Sequence, residues 1–570
     1  MKIKGSEALM HGLIAEGVDR VFGYPGGTIM PVYDTLYDFS DRITHVLVRH
    51  EQGAIHAAQG YARVSGRTGV VIVTSGPGAT NVLTGLGDSL MDSTPIVVIT
   101  GQVGANWLGS DAFQETDIVC VAKPLTKWAY QVRTADEIPS ALARAFYIAS
   151  TGRPGPVVID ITKDAQQGLT DVPYTPCRYI RSYNPDPEVS EADLINVANL
   201  INASKAPMIL AGQGITISGA EDELRRLAEK ADIPVACTLL GRAAISTDHP
   251  LNKGMLGMHG HLGPNVNTNK ADLLIALGMR FDDRVTGDLD TYARQAKVIH
   301  VDIDPSELNK NVAATAAIHG DARKVLSALL PLVRETRRPE WLATFDTHAR
   351  VEAEQVMERE LHPTDPAGPM LMGEVAVKLA EAFDDNTVLV TDVGQNQMMG
   401  ARYFSFTRPR SIITSGGLGT MGFGFPAAIG AKMGAPERTV FYFGGDGGFQ
   451  MTMQELGTIM QYGTDVKIII LNNNFLGNVR QWQALFFGGR FSQTPMVNPD
   501  FVAIAGAYGI KAENVERRDQ LDGAISRMKA HKGAYLLNIN IDETDMVFPM
   551  TPAGGSVDDI LLNPTEKYRP

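Results

Sequence analysis

The sequence predicts an α/β protein with three doubly wound parallel-sheet domains. At 570 residues the chain has room for about three or four domains. Segments 171–187 and 335–369, rich in proline or in charge, separate periodic stretches and are typical of linkers. Each stretch between them alternates short apolar strands with helical patterns, as parallel sheets do. We therefore expect domains at 1–170, 188–335 and 369–570.

The predicted strands are short runs rich in Val, Ile and Leu, which suit strands buried on both faces of a sheet. They lie at 46–48, 70–74, 96–100, 157–161, 208–211, 235–237, 273–277, 298–303, 388–391, 440–443, 466–471 and 535–541. In the first and last thirds of the chain, glycine-rich loops follow the strands in the same style. This favours a pair of similar folds that face each other.

Composition and charge limit the classes of function. Hydrophobic residues make up 44% and charged residues 20% of the chain, as in ordinary globular proteins. The net charge of −13 argues against nucleic acid and anionic membranes as partners. Cys120, Cys177 and Cys237 lie far apart without metal-ligand spacing, so we expect reduced thiols in a cytoplasmic protein. We find no signal core and no apolar run of about 18 residues, so we expect neither export nor a membrane span.

The most informative motif is GDG at 445–447, separated by 24 residues from NN at 472–473. A predicted strand precedes Asp446, a tight turn and a helical pattern at 450–461 follow it, and a second strand ends at the asparagines. An acidic and an amide side chain therefore lie at the carboxyl ends of two strands. Open α/β sheets bind ligands at those ends.

These residue types suit a divalent cation that holds a diphosphate. Mg²⁺ prefers oxygen ligands and takes one or two carboxylates, while phosphate supplies the rest. Gly447 and Gly448 let backbone N–H groups approach a diphosphate at the start of a helix. Either half of the motif alone is more often a plain turn or a polar loop. Both halves at this spacing resemble the diphosphate-binding signature of thiamine diphosphate (ThDP) enzymes.

Glu51 follows a predicted strand and begins a helical pattern. A charged residue at a helix start is usually a solvated cap. If a thiamine aminopyrimidine binds nearby, a carboxyl group that bonds its far ring nitrogen favours the imino tautomer, which can remove the thiazolium C2 proton. The loop at 74–81 is a generic glycine-rich helix start. Met421, within the glycine-rich loop 416–422, is either core filler or a support beneath the bend of the cofactor.

The middle third carries glycine or acidic residues at successive strand ends, which favours a nucleotide-sized ligand, although a lone GxG is weak evidence. They are GQG at 212–214, GMHG at 257–260, GMRFDDR at 278–284, DID at 302–304 and GD at 320–321. Arg284 could form an exposed ion pair worth about 0–1 kcal/mol. It could equally hold the carboxylate of a 2-oxo acid.

Together these motifs are similar to those of the acetohydroxyacid synthase family over essentially the whole chain. The matching segments are FGYPGG at 22–27, RHEQG at 49–53, VTSGPGATN at 73–81, DAFQE at 111–115, GRPGP at 152–156, RFDDRVTG at 280–287, the loop 415–422 and VRQWQ at 479–483. The resemblance implies domains that bind, in chain order, the pyrimidine of ThDP, FAD and the diphosphate of ThDP. It also implies active sites at the interface of a homodimer or dimer of dimers, and a separate small regulatory subunit.

The resemblance also assigns residues to roles. As catalytic residues it implies Glu51, Gln114 and Met421, and as Mg²⁺ ligands Asp446, Asn473 and the backbone carbonyl of Phe475. Around ThDP it implies Thr74, Pro77, Asn81, Gly394, Gln395, Asn396, Gly419, Met421, Gly445, Gly447 and Gly448. Around FAD it implies Arg153, Gly212, Thr238, Leu239, Gly257, His259, Gly278, Arg280, Asp282, Asp302, Ile303, Asp321 and Gln397. For the substrate it implies Phe113, Gln114, Arg284 and Trp482, with Lys163 at the entrance.

The implied reaction decarboxylates pyruvate and transfers the two-carbon unit to pyruvate or 2-oxobutyrate, the first common step of branched-chain amino-acid biosynthesis. FAD has no redox role in this reaction. The alternative is a ThDP- and FAD-dependent pyruvate oxidase, which Arg284 and Trp482 disfavour. A cofactor-binding but inactive subunit is a further alternative. Two positions depart from the family pattern, because Asn478 replaces the usual Met and Asn396 replaces a common His.

Overall fold

The computed structural model describes residues 2–382 and 384–568, which form three six-stranded parallel sheets flanked by helices. This confirms the predicted α/β class. Side chains on alternate positions of each strand enter different apolar clusters, one on each face of the sheet. In the first sheet, for example, Val70 and Ile72 join one cluster, whereas Val71 and Val73 join another. Each sheet is therefore buried on both sides, which explains the uninterrupted apolar runs in the sequence.

The N-terminal part contains the first sheet. Its elements are β1 (Ile3–Lys4), α1 (Gly5–Ala15), β2 (Arg20–Tyr24), α2 (Met30–Asp38), β3 (Thr44–Leu47), α3 (Glu51–Ser65), β4 (Gly69–Val73), α4 (Pro77–Thr80), α5 (Leu83–Met91), β5 (Ile96–Gln102), α6 (Ile118–Ala122), β6 (Trp128–Val132), α7 (Ile138–Ser150), β7 (Pro156–Thr162), α8 (Lys163–Gln167) and β8 (Leu169–Thr170). The strand order is β3-β2-β4-β5-β7-β6, and β1 pairs with β8 apart from this sheet.

The middle part contains the second sheet. Its elements are α9 (Glu191–Ala203), β9 (Pro207–Ala211), α10 (Gln213–Ser218), α11 (Glu221–Ala231), β10 (Val235–Cys237), β11 (Asn252–Met255), α12 (Leu262–Thr268), β12 (Leu273–Leu277), α13 (Asp283–Thr286), β13 (Lys297–Asp302), β14 (Ala316–His319), α14 (Ala322–Leu329), α15 (Pro339–Glu352) and α16 (Glu358–Leu361). The strand order is β11-β10-β9-β12-β13-β14, which reverses between β9 and β12.

The C-terminal part contains the third sheet. Its elements are α17 (Met372–Glu381), β15 (Thr387–Thr391), α18 (Gln395–Tyr403), β16 (Ile412–Ile413), α19 (Gly424–Gly434), β17 (Thr439–Gly445), α20 (Asp446–Thr452), α21 (Leu456–Tyr462), β18 (Val466–Asn472), α22 (Gly477–Phe486), α23 (Phe501–Ala507), β19 (Lys511–Val515), α24 (Arg518–Ala530) and β20 (Tyr535–Asn540). The strand order is β16-β15-β17-β18-β20-β19.

The first and third sheets share one topology. If the strands of each are numbered along the chain, both follow the order second, first, third, fourth, sixth, fifth. This confirms the expected pair of similar folds. In both sheets the order reverses beside the first strand, and the loops at the carboxyl ends there are where α/β sheets bind ligands.

Two local expectations were wrong. No separate turn follows β17, because α20 begins directly at Asp446, and a 3₁₀ turn at Met453–Glu455 divides the predicted helix into α20 and α21. Met460, whose place in the helical pattern at 450–461 predicts a buried side chain, is 55% exposed. The charged segment after 335 contains α15 and α16. Their carboxylates Glu352 and Glu360 are buried against Arg402 of α18.

The C-terminal tail packs onto the protein. Its apolar side chains, among them Phe548, Met550 and Ile560, are buried in one cluster with Leu262 of α12. Its backbone also binds the middle part, since Thr551 donates to the Met258 carbonyl at 2.7 Å. Separately, in the described part of the chain, every helix is too short or too polar to traverse a lipid bilayer.

Helices α3 and α19 join the first and third parts of the chain. At their crossing, a Cβ placed on Gly60 would overlap the Ala427 carbonyl, and one placed on Gly430 would overlap the Ala57 carbonyl. The two backbones touch, so only glycine fits at these positions.

We expect Gly60→Ala and Gly430→Ala each to lower the free energy of unfolding by at least about 2 kcal/mol, because the added methyl forces the helices apart. Gly506→Ala on α23 is the matched control. A Cβ there has no neighbour within 4 Å, and alanine favours a helix by about 1 kcal/mol. Thermal or denaturant unfolding measures all three variants. Equal stability of the three would contradict the packing argument.

Candidate functional site

Glu51 is the first residue of α3, directly after β3. His50 caps the helix, its Nδ1 accepting from the Gln52 N–H at 3.1 Å. The Asn81 amide donates to Glu51 Oε2 at 2.9 Å, which leaves Oε1 facing Gly78. The structure thus brings Glu51 together with the predicted loop at 74–81.

That loop turns sharply after β4. Gly76 has φ = 57°, and Pro77 then begins α4. The backbone of Gln114 packs against Gly76, and its neighbour Phe113 is 87% exposed. Thr74, in contrast, directs its hydroxyl at Thr28, 3.0 Å away.

Lys163 is exposed at the start of α8. The next residue, Asp164, accepts from the Ala105 N–H at 2.8 Å. This bond joins the start of α8 to the segment after β5 that leads to Phe113 and Gln114.

Asp446 begins α20 at the carboxyl end of β17. Its Oδ1 accepts from the Gly447 N–H at 2.9 Å, and its Oδ2 accepts from the Asn474 N–H at 2.9 Å. Burial raises the pKa of this carboxyl group. Asn473 Oδ1 accepts from the Phe475 N–H at 3.1 Å, so the residues predicted as ligands are joined in one turn after β18. Two oxygen-bearing side chains and a carbonyl thus meet, which suits a hard divalent cation.

Asn498 completes this corner and was missed by the sequence analysis. Its amide nitrogen contacts Asp446 Oδ2 at 2.6 Å and Asn472 Oδ1 at 2.8 Å. Gln450, one turn into α20, donates to Asn498 Oδ1 at 2.8 Å. Asn498 precedes a proline in a loop, and no local pattern indicates a partner 52 positions away.

Asp392 was also missed, although it directly follows a predicted strand. It is fully buried and accepts from the N–H groups of Val393 and Gly422 at 2.8 and 2.9 Å. A Cβ on Gly448 would lie 2.7 Å from its carboxyl group. Asp392 therefore joins the loops around Gly394, Met421 and Gly448 at one point.

These loops form a small cradle. The Met421 methyl would be 3.6 Å from a Cβ on Gly447, and the Asn396 amide nitrogen 3.5 Å from a Cβ on Gly445. Asn396 Oδ1 is buried without a partner. The side chain of Gln395 instead turns into the protein, donating to Gln481 at 3.0 Å, so only its backbone can face a ligand.

A cavity of about 1020 Å³ lies between the middle sheet and the C-terminal loops. It is large for a drug-sized ligand, for which pockets of roughly 300–1,000 Å³ are usual. Its lining includes Gly394, Gly419 and most of the residues expected around FAD. These FAD residues are Arg153, Thr238, Leu239, Gly257, His259, Gly278, Arg280, Asp282, Asp302, Ile303, Asp321 and Gln397. Gly212 lies behind this wall, where a Cβ would collide with the Gly278 carbonyl.

Some of these groups are already paired and some are free. Arg153 contacts Glu307 at 2.8 Å, and Gln397 donates to the Ser415 carbonyl at 2.9 Å. His259 keeps Nδ1 buried without a partner, and burial lowers its pKa to about 3. Burial raises the pKa of Asp302 to about 7. Free polar groups in an enclosed cavity indicate a ligand that satisfies them.

Asp282, Asp321 and Thr238 each cap a helix or a helical turn beside the cavity. Asp282 accepts from Val285 N–H at 3.1 Å, and Arg280 contacts its other oxygen at 3.3 Å. These side chains therefore hold the glycine-rich loops in place as well as lining the cavity.

Arg284 and Trp482 meet at one end of the cavity, with the guanidinium carbon 5.9 Å from the ring centre. The only close acidic partner of Arg284 in the described chain is the exposed Asp283 at 3.7 Å. Asn478 lies one turn before Trp482, near Gly394, with its Oδ1 buried and unpaired. The predicted substrate residues Arg284 and Trp482 are thus next to the diphosphate loop.

The structure does not bring every predicted residue together. Within residues 2–382 and 384–568, no hydrogen bond or ion pair joins Glu51 or Asn81 to Asp446 or Asn473. The residues predicted for the pyrimidine therefore do not bond directly to the predicted metal ligands in the described chain.

Comparison with known proteins agrees with this geometry. Three thiamine pyrophosphate enzyme profiles match: the N-terminal TPP binding domain at residues 3–121, the central domain at 194–329 and the C-terminal TPP binding domain at 392–539. Acetolactate synthase isozyme 2 large subunit of Escherichia coli K12 is 44% identical over 562 residues, covering 98% of this chain and 99% of the relative.

Two further relatives come from other organisms. A probable acetolactate synthase large subunit of Methanocaldococcus jannaschii is 45% identical over 571 residues, covering 98% of this chain and 95% of the relative. The acetolactate synthase large subunit of Haemophilus influenzae is 41% identical over 572 residues, with 99% and 98% covered. The chain belongs to the thiamine pyrophosphate enzymes and, within them, to the acetolactate synthase large-subunit family.

Proposed function

We propose that this protein is an acetohydroxyacid synthase, which decarboxylates pyruvate and transfers the two-carbon unit to pyruvate or 2-oxobutyrate. The observation that carries the proposal is the position of Arg284 over Trp482, beside the diphosphate loop at Gly394. A guanidinium without a close buried acid suits a substrate carboxylate. The adjacent indole suits the short apolar side chain of a 2-oxo acid.

ThDP and Mg²⁺ fit the C-terminal loops. Asp446, Asn473 and the Phe475 carbonyl would hold the cation, and the N–H groups at the start of α20 would face the diphosphate. Asn396 Oδ1, buried and unpaired, lies in the same cradle. When bound, ThDP would supply a carbon nucleophile for the carbonyl of pyruvate and a cationic ring that takes up the electron pair released as CO₂ leaves.

Glu51 would hold the proton at the far ring nitrogen of the aminopyrimidine. Asn81 occupies Oε2, so Oε1 is free for this bond. Met421 would support the bend of the cofactor, and Gln114 and Phe113 would border the substrate. Buried Asp392 would keep the two loops around the diphosphate fixed, so that the site is arranged before the ligand binds.

FAD fits the middle cavity. The volume of about 1020 Å³, the close glycine backbones at 212 and 278, and the acidic Asp302 at the end of β13 suit a dinucleotide. FAD would have a structural role, and no redox role, in the proposed reaction. The purified protein should therefore carry flavin, which absorption spectra and mass spectrometry of the released cofactor can identify.

The active form would be a homodimer, or a dimer of dimers, in which Glu51 of one subunit meets Asp446 of another. Large apolar side chains beside both halves are exposed, including Phe113 at 87% and Val497 at 98%. Such patches mark interaction surfaces. The relatives are named large subunits, so we propose that this protein also binds a separate small regulatory subunit. We also propose a cytoplasmic location.

Incubation with pyruvate, ThDP and Mg²⁺ while oxygen is monitored tests the proposal. We expect acetolactate without oxygen consumption, and 2-aceto-2-hydroxybutyrate when 2-oxobutyrate is added. Acetate or acetyl phosphate with oxygen uptake would replace the proposal with the pyruvate oxidase alternative.

The metal corner gives a second prediction. Asn498→Ala should weaken Mg²⁺-dependent ThDP binding by about 10- to 100-fold, and Asp446→Asn by more, because the first removes a partner of the ligand and the second removes the charged ligand. Titration calorimetry measures the affinity. Asn386 lies at the opposite, amino-terminal end of the strands in the same sheet, so Asn386→Ala should bind ThDP and Mg²⁺ as the wild type does. Unchanged affinity in Asp446→Asn would reject the metal assignment.

A mixture of two inactive variants tests where the site is built. Glu51→Gln and Asp446→Asn should each lose activity. Co-refolded in equal amounts, they should recover about a quarter of the wild-type activity, since random pairing gives half mixed dimers with one intact site each. A site within one chain would give no recovery, because neither subunit would then have both residues.

Asn478 gives a prediction on acceptor choice. Asn478→Met replaces an amide beside Trp482 with an apolar side chain, so the preference for 2-oxobutyrate over pyruvate should rise by about tenfold, the lower end of the range that one methylene allows. Competition between the two acceptors measures it. Val479→Met, on an exposed position of the same helix, should leave the ratio unchanged.

A further inference from the structure

The residues just before Glu51 are bound by a carboxylate from the C-terminal part of the chain. Glu455 ends the 3₁₀ turn between α20 and α21 and is 1% exposed. Its Oε1 accepts from the backbone N–H groups of Arg49 at 3.0 Å and His50 at 3.1 Å. These two groups belong to the last residues before α3, so the contact is one peptide away from Glu51.

The carboxylate is itself tightly held. Thr458 donates to Oε2 at 2.5 Å, and Arg49 N–H reaches the same oxygen at 3.2 Å. A Cβ on Gly53, in the first turn of α3, would collide with Oε1. Glu455 therefore fills the space at the beginning of α3, where the helix dipole also favours a negative group.

The side chain of Arg49 closes the arrangement. Its guanidinium donates to the Gly457 carbonyl at 2.8 Å and to Gln461 Oε1 at 2.7 Å. Further along, the Tyr462 hydroxyl accepts from the Leu47 N–H at 2.7 Å. Hydrogen bonds from the segment 455–462 therefore hold the chain from β3 to the start of α3 in place.

We infer that Glu455 is a positioning residue for Glu51, a role that rests on the proposed function. Glu51 has few contacts of its own, with Asn81 as its hydrogen-bond partner in the described chain. The direction of its carboxyl group therefore depends on the backbone at 49 and 50. Glu455 fixes that backbone with two charge-assisted hydrogen bonds, which are the stronger kind.

Glu455→Gln tests the inference, because the amide keeps the shape but faces the two N–H donors with one acceptor oxygen and one NH₂ group. In the cofactor-free protein, hydrogen exchange of the amides at 49 and 50 should become faster. In the loaded enzyme, kcat and the exchange rate of the thiazolium C2 proton should fall by about 10- to 100-fold, the cost of a small misplacement. The KM for pyruvate and the ThDP dissociation constant should change by less than about threefold, since the metal corner is intact.

Tyr462→Phe is the matched control, because it loosens the same interface without touching the start of α3. It should lower the melting temperature and leave C2 exchange unchanged. If Glu455→Gln does not fold, Glu455→Asp must show the loss of kcat at a nearly wild-type melting temperature. Wild-type C2 exchange in a folded Glu455 variant, or an equal loss in Tyr462→Phe, would overturn the inference. A wild-type enzyme that makes no acetolactate would instead reject the proposed function, while the amide exchange result would stand.

Discussion

The direct backbone contact between α3 and α19 is the constraint on which the rest of the structure depends. Glycine at 60 and 430 lets the two helices touch, and no other residue fits there. This contact sets the N-terminal sheet against the C-terminal sheet. Because α3 begins at Glu51, the same crossing fixes the start of α3 relative to the C-terminal part of the chain.

Buried carboxylates reinforce this arrangement at both ends of α3. Asp92, on the first part of the chain, accepts from the N–H groups of Gly416 and Gly417 at 2.9 and 2.7 Å and pairs with Arg63 at 2.6 Å. Glu455, on the C-terminal part of the chain, in turn accepts hydrogen bonds from the backbone of the N-terminal part. Buried charges of this kind are costly unless every oxygen is bonded, so they specify one relative position of the two folds.

Sequence patterns predicted most of the fold and the individual site loops. Apolar runs placed twelve of the eighteen strands in the three sheets within about two residues, because strands buried on both faces need uninterrupted apolar residues. The sequence patterns failed where burial depends on contacts far along the chain. Met460 has helical spacing but lies at an exposed position. No local pattern indicates that Glu352 of α15 and Glu360 of α16 are buried against distant Arg402.

The sequence by itself determined the α/β class, the candidate metal-binding motif around Asp446 and the family, since each depends on residues that are adjacent or regularly spaced. Only the tertiary structure revealed Asp392, Asn498 and Glu455, which act on loops far along the chain. Their partners are selected by three-dimensional packing, and a carboxylate or amide carries no local sign of which distant backbone group it will bind.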